Sequence, residues 1–210
     1  MTPIILVGTP FSSYVRSARM TAIEKGIPHS LDSVEFRSPA HEKLHPWKRV
    51  PIMRHGDVQL IESSAIGRYL DDIGSGPKLV PATPVARAVM EQWISAINAY
   101  VYGAVIRDYA VRGYITPKSQ GKAPDRAQIE ASTAEMEANL ARLDAAYAKD
   151  TYIAGDAVSL ADLLVAPIVQ TVGMFPEGQQ ALAKTPNLAR AYALLAKRDS
   201  FAQVHAKLFD

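Results

Sequence analysis

Three short stretches of the sequence hold side chains that could do chemistry. Thr9-Pro10-Phe11-Ser12-Ser13-Tyr14-Val15-Arg16 follows the apolar run Ile4-Ile5-Leu6-Val7, so three hydroxyls sit where a strand hands over to a helix. Serine is a preferred N-cap, and capping is the plainer reading of Ser12 and Ser13. The other reading is that one hydroxyl faces a ligand, helped by the positive end of the helix dipole. Glu62-Ser63-Ser64 poses the same choice at a second helix start. A hydroxyl and unpaired N–H groups there suit a carboxylate, and a neighbouring acid suits an ammonium. His41-Glu42-Lys43-Leu44-His45 matches the H-E-x-x-H pattern of zinc proteases. That chemistry needs a continuous helix and a third ligand. Pro39 and Pro46 bracket the stretch and no third ligand stands at the right spacing, so a surface turn without metal is expected.

Other chemistries lack their residues. With no cysteine there is no disulfide, thiolate metal site or cysteine nucleophile. No G-x-S-x-G elbow marks a serine hydrolase. A net charge of +2, without basic residues interleaved with aromatics, gives no footprint for nucleic acid. No apolar stretch reaches membrane-spanning length, and no basic leader precedes Ile4–Val7, so no signal peptide is expected. The expectation is a soluble, cytoplasmic protein.

The elements that must position these residues follow from periodicity. Ile4–Val7 reads as a buried strand, and Tyr14 to Lys25 as a helix with Phe11, Val15, Ala18 and Ala22 on one face. Gly26 and Pro28 end it. A weak strand is expected over His29–Phe36, then a hairpin of Pro51–Arg54 and Val58–Ile61 around His55-Gly56-Asp57. A helix with Ile66, Tyr69, Leu70 and Ile73 follows. The order is β-α-β, then β-β-α. Gly74-Ser75-Gly76-Pro77, with Pro81 and Pro84, reads as a linker. Beyond it the pattern is helical: Pro84 to about Gly113 with a possible kink at Gly103, a polar loop from Thr116 to Pro124, a helix capped by Asp125, an apolar helix from Val158 to Val172, and shorter helices from Pro186 and Ser200. Trp93 is expected between helices. Ser159-Leu160-Ala161-Asp162 reads as a capping box.

A small mixed α/β unit ahead of an all-helical one, with "PFSSYVRSARM", "HPWKRVP", "IESSAIGRYL" and "GDAVSLADLLVAPIV" in this order and spacing, resembles the cytosolic glutathione transferases of serine type. The resemblance covers nearly the whole chain. It implies a thioredoxin-like α/β N-terminal domain with a mixed four-stranded sheet over 1–76, a linker over 77–84 and an all-α domain over 85–210. It implies glutathione as co-substrate, no metal, and a homodimer formed across the first domain and the fourth and fifth helices.

Residue by residue, it puts the sulfur-activating hydroxyl on Ser12 when Val15-Arg16 is matched to the serine-type members. Ser13 and Thr9 remain rivals. Val50-Pro51 takes the place of a cis-proline step that exposes backbone to the cysteinyl part of glutathione. Ser63 falls to the γ-glutamyl carboxylate and Glu62 to the amine. Arg37 and Arg49 stand where related members carry a lysine and a glutamine for the glycyl end, with His41 or His45 nearby. Asp162 falls in the family's folding signature and is structural. An apolar electrophile pocket is implied at Phe11, Tyr102, Ile106 and Tyr109, with Tyr100 and Arg107 on the same helix. The implied function is conjugation of glutathione to small apolar electrophiles. The alternatives are a glutathione-dependent isomerase of zeta-like type and a non-catalytic binding protein of the same fold.

Overall fold

A computed structural model describes residues 3–205. The first two residues, on which the expectation of no signal peptide partly rests, and the last five lie outside the described residues. Contacts divide the chain into two units, Met1–Val80 with Ala196–Asp210, and Pro81–Leu195.

The first unit is built on a four-stranded sheet: β1 (Ile4–Val7), β2 (His29–Asp32), β3 (Ile52–His55) and β4 (Val58–Ile61), in the order β2-β1-β3-β4. β1 runs parallel to β2 and antiparallel to β3, with Leu6 opposite Leu31 and Met53. The parallel pair requires a crossover, supplied by α1 (Ser13–Glu24). The tight connection at Gly56, which has φ 59°, closes the antiparallel hairpin. α2 (Pro39–Leu44) and α3 (Ser63–Ile73) complete the unit. Its core joins Ile4, Leu6 and Met53 of the sheet to Ala18 and Ala22 of α1 and Ile66 and Leu70 of α3. β2 ends at Asp32, short of the expected Phe36. Phe11 lies ahead of α1 and is 45% exposed, so it takes no part in the helix's buried face.

The linker is tied down from inside. The buried Lys25 ammonium bonds the carbonyls of Gly76 and Pro77 at 2.6 and 2.8 Å and pairs with the buried Asp71 carboxylate at 3.1 Å. Asp71 also accepts from Leu79 N–H at 2.9 Å.

The first unit includes a piece of chain that the sequence assigned to the second domain. A short helix, Asp199–Gln203, packs on α1. Arg198 makes a two-pronged ion pair with Glu24 at 2.6 and 2.7 Å, and Ser200 donates to the same carboxylate at 2.5 Å. The buried Arg16 guanidinium donates to the carbonyl of Val204 at 3.1 Å and lies 5.6 Å from the centre of the Phe201 ring. These partners hold the segment from Arg198 to Val204 to α1.

The second unit is helical. An α-helix, Pro84–Ala96, continues into a π-helix, Ile97–Ile115, where a single α-helix with a kink was expected. Its buried face includes Ile97, Val101, Val105, Tyr109 and Tyr114. Gly103 lies inside this π-helix. One helical turn, Thr116–Ser119, occupies the first part of the stretch expected as a polar loop. Asp125 caps the helix Arg126–Ala146 by accepting from Gln128 N–H at 3.0 Å. Ile129, Met136, Leu140 and Leu143 face inward from it. The apolar helix Leu160–Val172 follows, then Pro176–Leu182, which the sequence reading missed, and Pro186–Ala196. Trp93 is half-buried rather than enclosed.

Asp162 is more than a cap. Its carboxylate is fully buried and accepts from Ser159 N–H at 2.8 Å, Ser159 Oγ at 2.7 Å, Ile153 N–H at 3.0 Å and Tyr147 O–H at 2.9 Å. Burial holds its pKa above the ordinary value, against the pull of these donors. Among the described residues no helix is long and apolar enough to cross a membrane.

Candidate functional site

The first turn of α1 shows which serine of the pair caps the helix. Ser12 is the N-cap, with extended φ/ψ of −67° and 125°, and its Oγ accepts from Val15 N–H at 3.4 Å. That bond uses a lone pair. The hydroxyl hydrogen finds no acceptor among the described residues, so capping leaves the donor available. Ser13 is buried, and its carbonyl accepts from Ser17 Oγ. Thr9 is partly exposed, and its Oγ1 accepts from Phe11 N–H at 3.4 Å. Ser12 and Thr9 are both partly open with oxygens that accept backbone N–H groups, and of the three hydroxyls Ser12 is the one that caps the helix.

Gly8, which carried no signal in the sequence reading, joins this turn to the next part of the site. A Cβ on Gly8 would lie 2.5 Å from Val15 Cγ2 and 3.2 Å from Val50 Cβ. The end of β1 therefore fits between the first turn of α1 and Val50 only because no side chain intervenes. The Val50–Pro51 peptide bond is cis. The N–H and C=O of Val50 make no hydrogen bond among the described residues, and they precede a strand whose own ladder starts at Ile52. Unpaired backbone of this kind can take an extended ligand as a short added strand.

Glu62 is the N-cap residue of α3, exposed, with φ 71° and ψ 118° and no side-chain cap bond. A non-glycine residue in that conformation is strained. The Glu62 carboxylate makes no cap bond, while Ser63 opens the helix, whose first N–H groups have no intrahelical acceptor.

The first four residues of the H-E-x-x-H stretch lie in the six-residue helix α2 rather than in a surface turn, and His45 is its extended C-cap. Ser38 caps it by accepting from His41 N–H at 3.1 Å, and Pro39 occupies its first turn. His41 and His45 are both buried. The His41 ring has both nitrogens engaged: Nδ1 accepts from Arg37 N–H at 3.2 Å, and Nε2 lies 2.9 Å from the carbonyl oxygen of Arg49. Because a backbone N–H can only donate and a carbonyl only accept, the tautomer is neutral with hydrogen on Nε2. No ring lone pair remains for a metal. His45 Nδ1 accepts from Trp47 N–H at 3.3 Å. Burial lowers its pKa, Glu62 pulls the other way, and His41 and Arg49 add to the lowering. Arg37 has left-handed backbone, φ 64°, and both arginine side chains belong to exposed residues. The structure thus brings Arg37 and Arg49 to the two sides of one imidazole.

In the second unit, Tyr102 is half-buried and Ile106 buried. Tyr109 is fully buried, and its hydroxyl donates to Glu177 at 3.0 Å and accepts from Gly178 N–H at 2.9 Å. Tyr114 donates to the same carboxylate and stacks on Phe175 at 4.2 Å. Burial, followed by the Glu177 hydrogen bond, pushes the Tyr114 phenol up to about 12. The pattern of tyrosines pointed to a wall, but this part of it is core.

A sheet of order β2-β1-β3-β4, with a cis-proline opening β3 and a helix start at each side of it, is the thioredoxin-like arrangement, here carried with an all-helical unit. Residues 6–78 match the family model of the glutathione S-transferase N-terminal domain, and residues 103–199 that of the C-terminal domain. The chain is 31% identical over 171 residues to glutathione S-transferase F9 of Arabidopsis thaliana, across 78% of this chain and 79% of the relative. It is 28% identical over 218 residues to glutathione S-transferase 3 of Zea mays, across 99% and 96%. A solved structure, the theta class glutathione S-transferase of Xanthomonas axonopodis pv. citri with glutathione bound, superposes with a TM-score of 0.81 at 29% identity over 100% of both chains. The chain belongs to the glutathione S-transferase family, a family of enzymes.

Proposed function

We propose that this chain binds glutathione on its first unit and transfers the thiolate sulfur to a small apolar electrophile. The observation that carries the reading is the Ser12 hydroxyl, whose oxygen caps α1 while its hydrogen is left to donate. In the proposed complex the cysteinyl backbone pairs with Val50 ahead of Pro51, and the γ-glutamyl carboxylate meets Ser63 and the start of α3. The amine meets Glu62, and the glycyl carboxylate meets Arg37 and Arg49.

A free thiol of pKa about 8.5 is only about 3% thiolate at pH 7. A charge-assisted hydrogen bond contributes roughly 1.5–3 kcal/mol, which at about 1.36 kcal/mol per unit lowers that pKa by about one to two units. The thiolate fraction then rises to roughly a quarter or more. The dipole of α1 acts in the same sense. Ser12 keeps its proton throughout. The thiol proton leaves to solvent on binding, the sulfur lone pair forms the new carbon–sulfur bond, and the electrophile's leaving group departs with its electron pair. Tyr102 and Ile106, both on the second unit, are proposed to contribute an apolar wall. A cytoplasmic homodimer, with glutathione as co-substrate and no metal, completes the reading.

Calorimetry of glutathione binding to wild type and Ser12→Ala, at two pH values, tests it. Proton release near neutral pH that disappears in Ser12→Ala is expected. No detectable binding to wild type refutes the transferase reading and leaves a binding protein of transferase fold. Unchanged release in the variant moves the chemistry to Thr9 or Ser13. Glutathione recovered unchanged after turnover of an electrophile identifies an isomerase.

A further inference from the structure

Beyond the residues already assigned to glutathione, one buried group joins the two arginines of the glycyl end. We propose that His41 is the positioning residue of that end: its imidazole holds the backbones of Arg37 and Arg49 so that their side chains meet a single carboxylate. The proposal rests on the glutathione reading above and deepens it.

His41 is fully buried, so it cannot itself reach an exposed ligand group. Its Nδ1 accepts from Arg37 N–H at 3.2 Å and its Nε2–H donates to the Arg49 carbonyl at 2.9 Å. The two partners belong to loops on either side of α2 and make no backbone bond to each other. Arg37 sits at φ 64°, a conformation that costs a non-glycine residue energy and persists only when its surroundings hold it. The neighbouring Lys48 is also left-handed, φ 51°, and is set by its N–H bond to the His45 carbonyl at 2.8 Å. Ser38 fixes the other end of the ring's own residue by capping α2 through His41 N–H. The edge of the ring packs on Phe36, with centroids 5.3 Å apart. Every polar atom of the imidazole is thus spent on the arginine backbones. If the ring were only filling space, an apolar side chain would do.

The test compares two ligands, glutathione and γ-glutamylcysteine, which lacks the glycyl carboxylate. Calorimetric affinities are measured for wild type, His41→Leu and His41→Gln, with the thermal transition as a check of folding. Wild type is expected to prefer glutathione. His41→Leu should lose at least about tenfold in glutathione affinity, the equivalent of about one charge-assisted hydrogen bond. Its affinity for γ-glutamylcysteine should stay at the wild-type level. His41→Gln, whose amide can both accept from Arg37 and donate to Arg49, should recover part of the preference. Equal loss for both ligands in a folded His41→Leu overturns the proposal, as does an unchanged preference. If wild type binds neither ligand, the glutathione reading itself fails. Should His41→Leu not fold, nitrogen NMR of the wild-type ring decides. The ring resonances should move on adding glutathione and not on adding γ-glutamylcysteine; equal movement with both ligands, or none, overturns the role.

Discussion

Gly8→Ala is a sharp test of how the site is assembled, because one methyl group must fit where there is no room. The added Cβ would lie 2.5 Å from Val15 Cγ2 and 3.2 Å from Val50 Cβ. Carbon atoms pack at about 3.5–4.0 Å, so relief at Val15 requires roughly 1 Å of movement. Val15 cannot turn aside: it is fully buried and β-branched in a helix, where one rotamer dominates. Either the first turn of α1 moves with Ser12, or β1 shifts into Val50. Overpacking of this kind costs about 1–3 kcal/mol. For a chain of this size each kcal/mol lowers the melting temperature by about 2–4 °C. Moving Ser12 by about 1 Å from a bound sulfur takes its hydrogen bond out of range, so the bound thiol pKa should rise by about one to two units. The assays are thermal melting and ultraviolet titration of the bound thiolate. Adding Val15→Ala should restore much of both, though not all, because Gly8 has φ 158° and the alanine keeps some backbone strain. A Gly8→Ala protein as stable as wild type, with an unshifted thiolate, refutes the reasoning. So does a double variant no better than the single.

Two further predictions concern the framework. Asp162→Ala leaves Ile153 N–H, Ser159 N–H and Tyr147 O–H buried without their acceptor, and should cost at least about 3 kcal/mol, well beyond a lost cap; denaturant unfolding that shows a loss near 1 kcal/mol would mean the site relaxes. Glu24 is held below the ordinary carboxylate range: burial pushes its pKa up, but the hydrogen bonds from Arg198 and Ser200 and the arginine's charge outweigh it. A lowered pKa in the folded state means the pair stabilises above the unfolded value and that contribution is lost as pH falls through the folded one. The stability gap between wild type and Glu24→Gln should therefore be full at pH 7 and close as the solution is acidified below about pH 4, and a gap independent of pH would show that the ion pair contributes nothing.

Much of the fold was legible because its signals are local. A short apolar run, a turn tripeptide and a three-to-four period located β1, the hairpin and α1, while Asp125 and Ser159 marked helix starts. Ser12 was read as either a cap or a ligand donor, yet a hydroxyl has both a lone pair and a hydrogen and here the cap uses only the first. Failures came where the deciding contact is tertiary. Nothing local distinguishes Gly8 from a turn glycine, and the pressure of Val15 and Val50 on it exists only after folding. His41 looked like surface because it sits among charged residues between prolines, and only the two backbones around it explain its burial. Tyr109 was read with the other tyrosines of its segment, but the partner that takes its hydroxyl, Glu177, lies far along the chain. The anchoring of the last helix was illegible for the same reason, since Glu24, which holds it, lies far back along the chain.

That last anchor makes the first unit discontinuous: Pro81–Leu195 is an insertion within it. On the ribosome, residues 3–80 emerge long before Arg198, Ser200 and Val204 exist to meet Glu24 and Arg16. Glu24 and Arg16 on α1 meet these partners only after the whole of 81–195 has been made, so the first unit cannot be completed in the order in which its chain is synthesised.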